Sequence, residues 1–511
     1  MENPLYLEFP THLTVKKFLS KLSKQLDFQI VNQQYTIKTF YDSFDWRLYS
    51  AGMNCELNHS KSLSELKLTD NKQGSLIAKI ETDTVPSFAH QFADVRFQNL
   101  LKPHLEMRAL LSVCTLPYEV YSINILNKDQ KTVLRLQIDE YELLNHRVQL
   151  FPLKGYEKSH YKIAQILQKK LDLQATPCST VLNAALKLQK RIPQDYSSKL
   201  AIKLKPDMRA DKASKLIYKQ LLQAIQINES GTIADIDSEF LHDFRVAVRR
   251  TRAGLSQIKN TLPEDIVTTY ATFFAWLGKI TGTTRDLDVY LLSYPQYKAV
   301  LPTTLQDDIQ PLYDFLLTKQ AEAQKQLAEQ LSNNEYSRQL LAWKDYLNEK
   351  LPKETTESNA QQDILTLANA RIKKVYKSVI KEGEAINADS PAEALHDLRK
   401  TCKKLRYLME FFQSLYPEAE IKAAIKALKG FQSVLGDFQD YEVQELTLKE
   451  FSNEMMQNNV PANTLLAMGV LVQYLDSMKC NAREHFAEQF DLFVEPKNTA
   501  MFKQLFSTKE D

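Results

Sequence analysis

Two stretches decide how this chain is read: Leu241–Arg252, LHDFRVAVRRTR, and Leu395–Arg406, LHDLRKTCKKLR. Each opens Leu-His-Asp, puts an Arg three residues after the His and closes on an Arg ten residues after it. The offset between them is 154 residues, and it holds further along the chain. Gly282 falls on Gly436, Asp286 on Asp440, Asp288 on Glu442 and Val289 on Val443. A chance basic helix would not bring a matching acidic turn with it at constant distance. The chain therefore carries an internal duplication of a unit about 150 residues long.

On a helix, His242, Arg245, Arg249 and Arg252 fall within an arc of roughly 80°. Phe244, Val248, Thr251, Leu255 and Ile258 form the neighbouring apolar stripe, matched in the second copy by Leu398, Cys402, Leu405, Met409 and Phe412. The apolar stripe anchors the helix in a bundle. The basic face is a ladder of cations: Arg245, Arg249, Arg250 and Arg252 in one copy, Arg399, Lys400, Lys403, Lys404 and Arg406 in the other. Like charges one turn apart cost roughly 0.2–0.5 kcal/mol per pair. A helix that accepts this twice points to an anionic partner, and the guanidinium fork matches phosphate oxygens.

The plain alternative is a solvated face, or one paired with acids from a neighbouring helix. Asp286, Asp288, Asp440 and Glu442 are placed to be those acids. Paired carboxylates are also hard-cation ligands, but no further acids cluster beside either pair, which favours salt-bridging over a metal. His242 and His396 share the Arg face and stand as ligand-facing candidates beside the reading as neutral core donors. Aromatics do not interleave the ladder, so nucleic acid is a poor partner, held by its backbone only.

Composition sets the frame. A chain of 511 residues is too long for one core, so two or three domains are expected. The balance of 44% hydrophobic and 25% charged residues is that of an ordinary globular protein. Only 11 glycines lean the chain toward helix. A net charge of +2 means that any basic surface is a local patch. The N-terminus lacks the layout of a signal peptide, and no run approaches the ~18 apolar residues of a membrane span. Five scattered cysteines without a CxxC pair suggest neither a disulfide framework nor a zinc site, and the expectation is a reduced, cytoplasmic protein. No Ser/His/Asp arrangement, Walker-type loop or HExxH motif appears, and no cofactor is expected.

The text changes character near residue 190. Before it, YTIKTFYD, SLSELKLT, SLIAKIE and TVLRLQIDEYELL read as strands and YKIAQILQKKL as a helix. The stretch 191–206, with Pro193 and Pro206, is the expected linker. After it, apolar residues recur at helical spacing between clusters of breakers, as two sets of about four helices. The division expected is 1–190, then 207–495 as bundles over 207–350 and 360–495, then a tail from 496 to 511.

The duplicated stretches resemble the paired signatures of the CHAD domain, the conserved histidine α-helical domain. GTTRDLDVYL and LGDFQDYEV resemble its second pair. The resemblance covers about residues 205 to 490 with four motif blocks in order. It implies two pseudo-symmetric four-helix bundles whose basic residues face a common groove, and inorganic polyphosphate as the ligand. Cytoplasmic polyphosphate granules are the location that goes with it.

Residues 1 to about 190 resemble the CYTH or triphosphate tunnel family, an eight-stranded antiparallel tunnel with inward charges. TFYDSFDWRLYSAGM matches a family segment and keeps Arg47; Lys67, Lys79, Glu81 and Asp83 fit its basic-acidic pattern. The family's opening ExExK strand departs here to LYLEFP, with Tyr6 and Pro10 in place of an acid and the Lys, leaving Glu8. Glu56 and Asn58 stand where the resemblance implies phosphate-binding arginines, and Gln149 and Phe151 where it implies more acid. The overall expectation is an α+β multidomain protein, a degenerate tunnel followed by an all-α CHAD domain, that binds polyphosphate without catalysis. The alternative is a metal-dependent triphosphatase or polyphosphatase acting through the tunnel.

Overall fold

The computed structural model describes residues 4–198 and 200–507. The chain forms two compact units, divided between residues 198 and 199. No helix among the described residues is long and apolar enough to cross a membrane.

The first unit is built on strands β1 (Leu5–Glu8), β2 (Asp27–Asp42), β3 (Met53–Ser60), β4 (Ser64–Asp70), β5 (Leu76–Glu81), β6 (Leu111–Leu126), β7 (Thr132–Tyr141), β8 (Arg147–Pro152) and β9 (Gln174–Ala175). Helices α1 (Val15–Leu22), α2 (Arg47–Ser50), α3 (Val95–Leu105), α4 (Glu157–Leu171) and α5 (Thr180–Leu188) pack around them. The strands form one sheet in the order β5-β4-β3-β2-β6-β7-β8-β1-β9, and every pairing is antiparallel. The sheet thus has nine strands where eight are expected; the ninth is the two-residue β9, which extends the sheet beyond β1.

This sheet curls until its ends meet. Tyr6, next to one edge, donates its hydroxyl to Gly74 O at 3.2 Å, in the turn joining β4 to β5 at the other edge. Gly74 has φ +69°, and a Cβ there would lie 2.3 Å from the Tyr6 ring, so only glycine admits this contact. Helices α1 and α4 cover β6, β7 and β8 with an apolar layer that includes Phe18, Leu22, Leu134, Ile138 and Leu167. On another face α5 lays Val181, Leu182, Ala185 and Leu186 against Phe40, Leu116, Tyr118 and Tyr141.

The second unit is all helical: α6 (Ala210–Ile233), α7 (Ser238–Gln257), α8 (Glu264–Ile280), α9 (Gly282–Val300), α10 (Gln310–Leu331), α11 (Asn334–Asn348), α12 (Ile364–Glu384), α13 (Ala392–Phe412), α14 (Glu418–Gln457), α15 (Ala462–Val494) and α16 (Pro496–Leu505). The duplication is visible in the starts. Residues 210 and 364, 238 and 392, and 264 and 418 each open a helix at the same offset of 154. The copies then differ. α8 and α9 are separate, whereas the second copy runs through as the single 40-residue α14. Thr281 marks the interruption: its hydroxyl donates back to Leu277 O at 2.8 Å, the bond by which Ser and Thr bend helices. The counterpart is Leu435, which has no hydroxyl to compete with the backbone.

The apolar stripes of α7 and α13 face the core as their spacing predicts. Phe244 and Val248, and Leu398, Cys402, Leu405, Met409 and Phe412, have no exposed surface. One core joins both copies, from α6–α8 to α11–α14. A second, tyrosine-rich core with Tyr290, Tyr294 and Tyr297 joins α9 and α10 to the distal half of α14 and the start of α15. Residues 496–505, expected as tail, are helix α16, and Phe502, Leu505 and Phe506 are buried in the first core. The end of that stretch, 508–511, lies outside the described residues, as does Lys199 of the expected linker.

Candidate functional site

Packing brings the two basic helices side by side, α7 against α13. In the first copy, Arg245 donates to Gly278 O at 3.1 Å and to the Thr281 hydroxyl at 2.8 Å, where the helix is interrupted. Burial pushes its guanidinium down to about 10, and the positive charges of Arg249, Arg285 and Arg252 push the same way against the nearby Asp286. Arg249 and Arg252 are exposed. Arg252 lies along Gly278, where a Cβ would come within 3.0 Å of its Nη1. In the second copy, Arg399 bonds Gln439 and donates to Asp440 at 2.9 Å. The backbone cradle recurs, because a Cβ on Gly282 or Gly436 would lie 3.7 Å from Arg245 or Arg399 respectively.

Lys403 links the two copies. Burial holds its ammonium down at about 8, and the adjacent charges of Arg399 and, across the helix pair, Arg249 add to the depression, with Asp440 opposing. Burial and neighbouring like charges both disfavour the charged form of a lysine. Among the described residues, no carboxylate lies within ion-pair distance of Arg249, Arg252, Lys403 or Lys404. Of the other members of the ladder, Arg250, Arg399, Lys400 and Arg406 have acids. Arg250 pairs with Glu410 at 2.8 Å, Arg406 faces the same Glu410 at 3.6 Å, and Lys400 pairs with Asp397 at 2.9 Å out in solvent.

The two histidines occupy matched positions in unlike surroundings. Nη2 of Arg285 is 3.1 Å from Nδ1 of His242. A guanidinium only donates, so His242 accepts at Nδ1 and carries its proton at Nε2. His396 instead has Nε2 2.6 Å from a carboxylate oxygen of Glu442. The acidic turns divide likewise. Asp440 salt-bridges Arg399 of the basic helix as expected, and Glu442 lies against His396. Asp286 makes no ion pair among the described residues, and burial raises its carboxyl against Arg245 and Arg285. Asp288, raised to about 7 by burial, accepts from Gln320 at 3.2 Å. Among the described residues, no group of three or more His, Cys, Asp or Glu side chains could hold a metal ion.

Sequence reasoning missed Arg285, Gln439 and Glu410. Arg285 stands one residue before Asp286 in a quoted motif, but its counterpart is Gln439, so a search for repeated cations passes over it. Glu410 has Ser256 as its counterpart and is hidden for the same reason.

In the first unit, the register places the expected tunnel residues on one face of the sheet. Lys79 pairs with Lys67 and Lys67 with Glu56, while Glu81 pairs with Glu65, Glu65 with Asn58 and Asn58 with Lys38. At the other end Tyr6 pairs with Gln149 and Glu8 with Arg147. Side chains opposite one another across a ladder share a face. Glu8, Glu56, Glu65 and Asp139 on this face each have a partner. Glu8 pairs with Arg147 at 3.3 Å, Glu56 with the buried Lys38 at 3.5 Å, and Glu65 with Lys67 and Lys79 at 2.8 and 2.6 Å. Asp139 accepts from Gln137, Gln149 and the Tyr141 hydroxyl. Glu56 is therefore not the uncompensated charge that its position suggests in sequence, because Lys38 holds its carboxyl below the usual range against the cost of burial. Arg47 is drawn to Asp45 and Glu106, both at 3.0 Å.

The fold and site define a class: a duplicated helical unit whose two basic helices lie together. Residues 217–449, the region that carries both basic helices and both acidic turns, match the CHAD domain family model. The chain is similar to the solved CHAD domain from the plant Ricinus communis, with 23% identity over 60% of this chain and 96% of that one and a TM-score of 0.45. PptA from Streptomyces chartreusis is 15% identical over 55% of this chain and 99% of its own, with a TM-score of 0.43. A putative adenylyl cyclase from Hippeastrum, described as having a dominant triphosphatase activity, is 12% identical over 39% of this chain and 100% of its own, with a TM-score of 0.29. Comparison with the curated proteins gives no match. The first unit has the curled antiparallel sheet that the CYTH resemblance implies.

Proposed function

We propose that the paired basic helices bind inorganic polyphosphate and that the protein does so without turnover. The observation that carries the reading is the junction of Arg249, Arg252, Arg399 and Lys403, where half-buried and exposed cations of both copies gather with Lys403 driven down to about 8. Keeping such charges together is unfavourable in the free protein, and an extended polyanion relieves it. Arginine forks favour phosphate over carboxylate polymers of lower charge density. His242, Arg245, His396, Lys400 and Lys404 are the remaining ligand candidates, with Arg250 and Arg406 held by Glu410; the Arg245 guanidinium is oriented by Gly278 O and the Thr281 hydroxyl, that of Arg399 by Gln439 and Asp440. Binding without catalysis is supported by the first unit, whose inward carboxylates are neutralised by inward cations and amides.

The test is titration of the full chain with long-chain polyphosphate at several salt concentrations. The logarithm of the affinity should fall against log salt with a slope of about −0.7 for each phosphate neutralised. A flat salt response, or no binding in dilute buffer, would falsify the reading. Single-stranded DNA of equal charge should bind more weakly, because the ladder offers no stacking platform.

A further inference from the structure

One carboxylate sits inside the basic site. Oε2 of Glu410, on α13, accepts from Arg250 on α7 at 2.8 Å, and Oε1 faces Nε of Arg406, one turn back on its own helix, at 3.6 Å. Its side chain is only 11% exposed. The pairing is absent from the other half of the duplication. Ser256, the counterpart of Glu410, donates to Ala253 O and accepts from Gln257, both on its own helix, and Lys404, the counterpart of Arg250, is exposed and makes no ion pair among the described residues. The acid thus breaks the symmetry at one end of the ladder. It neutralises Arg250 and Arg406, whereas Arg249, Arg252 and Lys403 make no ion pair among the described residues.

We infer that Glu410 is a positioning and specificity residue of the polyphosphate site, an internal anion that ties the two walls together and bounds the phosphate path at that end. The inference rests on the polyphosphate reading. A carboxylate shared by two arginines occupies the seat that a phosphate would take between them, and a phosphate brought beside it meets like charge. The path therefore lies toward Arg245, Arg249, Arg399 and Lys403, and chains long enough to pass the bound end gain nothing from Arg250 or Arg406.

The test compares the parent chain with Glu410→Gln and Glu410→Ser in polyphosphate titrations across salt. Gln keeps the shape and one acceptor; Ser writes into the second copy what the first already carries. Freeing the two arginines should tighten binding on the order of tenfold at low salt and steepen the salt slope by about 0.7 for each further phosphate engaged. A purely structural role would not steepen that slope. If the Gln chain fails to fold by circular dichroism, the Ser chain decides. Unchanged or weaker affinity with the parent slope would overturn the role of Glu410. The polyphosphate reading would survive that result provided the parent binds and Arg249→Ala weakens it. A parent chain that fails to bind overturns both.

Discussion

Lys403 shows what the site costs the protein that carries it. Its pKa falls from the ordinary lysine value of 10.5 to about 8 on folding. Between those values the unfolded chain holds more protons, so stability rises with pH across that window. The penalty is fully present below about pH 8 and is relieved as pH rises above it. Lys403→Met should therefore raise the melting temperature at pH 7 by roughly 2 °C while weakening polyphosphate binding, a trade of stability for function. Thermal melts at pH 7 and pH 10 check it: the gain should shrink at the higher pH. Ligand binding carries the same signature in reverse. Phosphate restores the proton, so the parent should take up protons on binding near pH 8 and bind more weakly above it. Lys403→Arg should flatten that pH profile, since arginine keeps its charge there; a profile unmoved by the exchange would remove Lys403 from the site.

At the scale of elements, the two basic helices are one device in two halves. Replacing Arg245, Arg249 and Arg252 by Ala should weaken polyphosphate binding by at least about an order of magnitude, and replacing Arg399, Lys403 and Arg406 should weaken it comparably, because the proposed ligand spans both. Equal circular dichroism in all three proteins is the control, and a triple variant that binds like the parent contradicts a shared site. Corners between helices are tight as well. A Cβ on Gly231 would lie 2.2 Å from the Phe240 ring, so Gly231→Ala should destabilise the unit by about 1–3 kcal/mol in denaturant unfolding. These helices were readable from sequence because duplication doubles every periodic cue: the stripes beginning at Phe244 and Leu398 each predict a buried face. What duplication conceals is any residue present in one copy alone. Arg285, Glu410 and Thr281 are all of that kind, and together they set where the cations point.

On the whole-molecule scale, the two units differ in how much their sequences disclose. The helical unit announces its site by repetition. In the sheet unit, Tyr6, Glu56 and Asn58 could be named as departures from sequence, but not what answers them. Lys38 answers Glu56, Arg147 answers Glu8 and Asp139 answers Gln149, and each meets its partner only through the register of neighbouring strands. With Glu8, Glu56 and Glu65 each held by a cation, the full chain should release no phosphate from tripolyphosphate with Mg²⁺ or Mn²⁺. Metal-dependent release that disappears in Glu81→Ala would assign the first unit an enzymatic role.

The interruption at Thr281 has a consequence for how such a protein can diverge. Arg245 is steadied by a main-chain carbonyl and by the hydroxyl that bends the helix, whereas Arg399 is steadied by the side chains of Gln439 and Asp440. No point mutation deletes a carbonyl. Drift can therefore retune the second wall one substitution at a time, while the first changes only if the helix junction is rebuilt. A lineage tuning this pair of basic helices has one adjustable jaw and one fixed jaw, and the same asymmetry tells an engineer which positions to randomise.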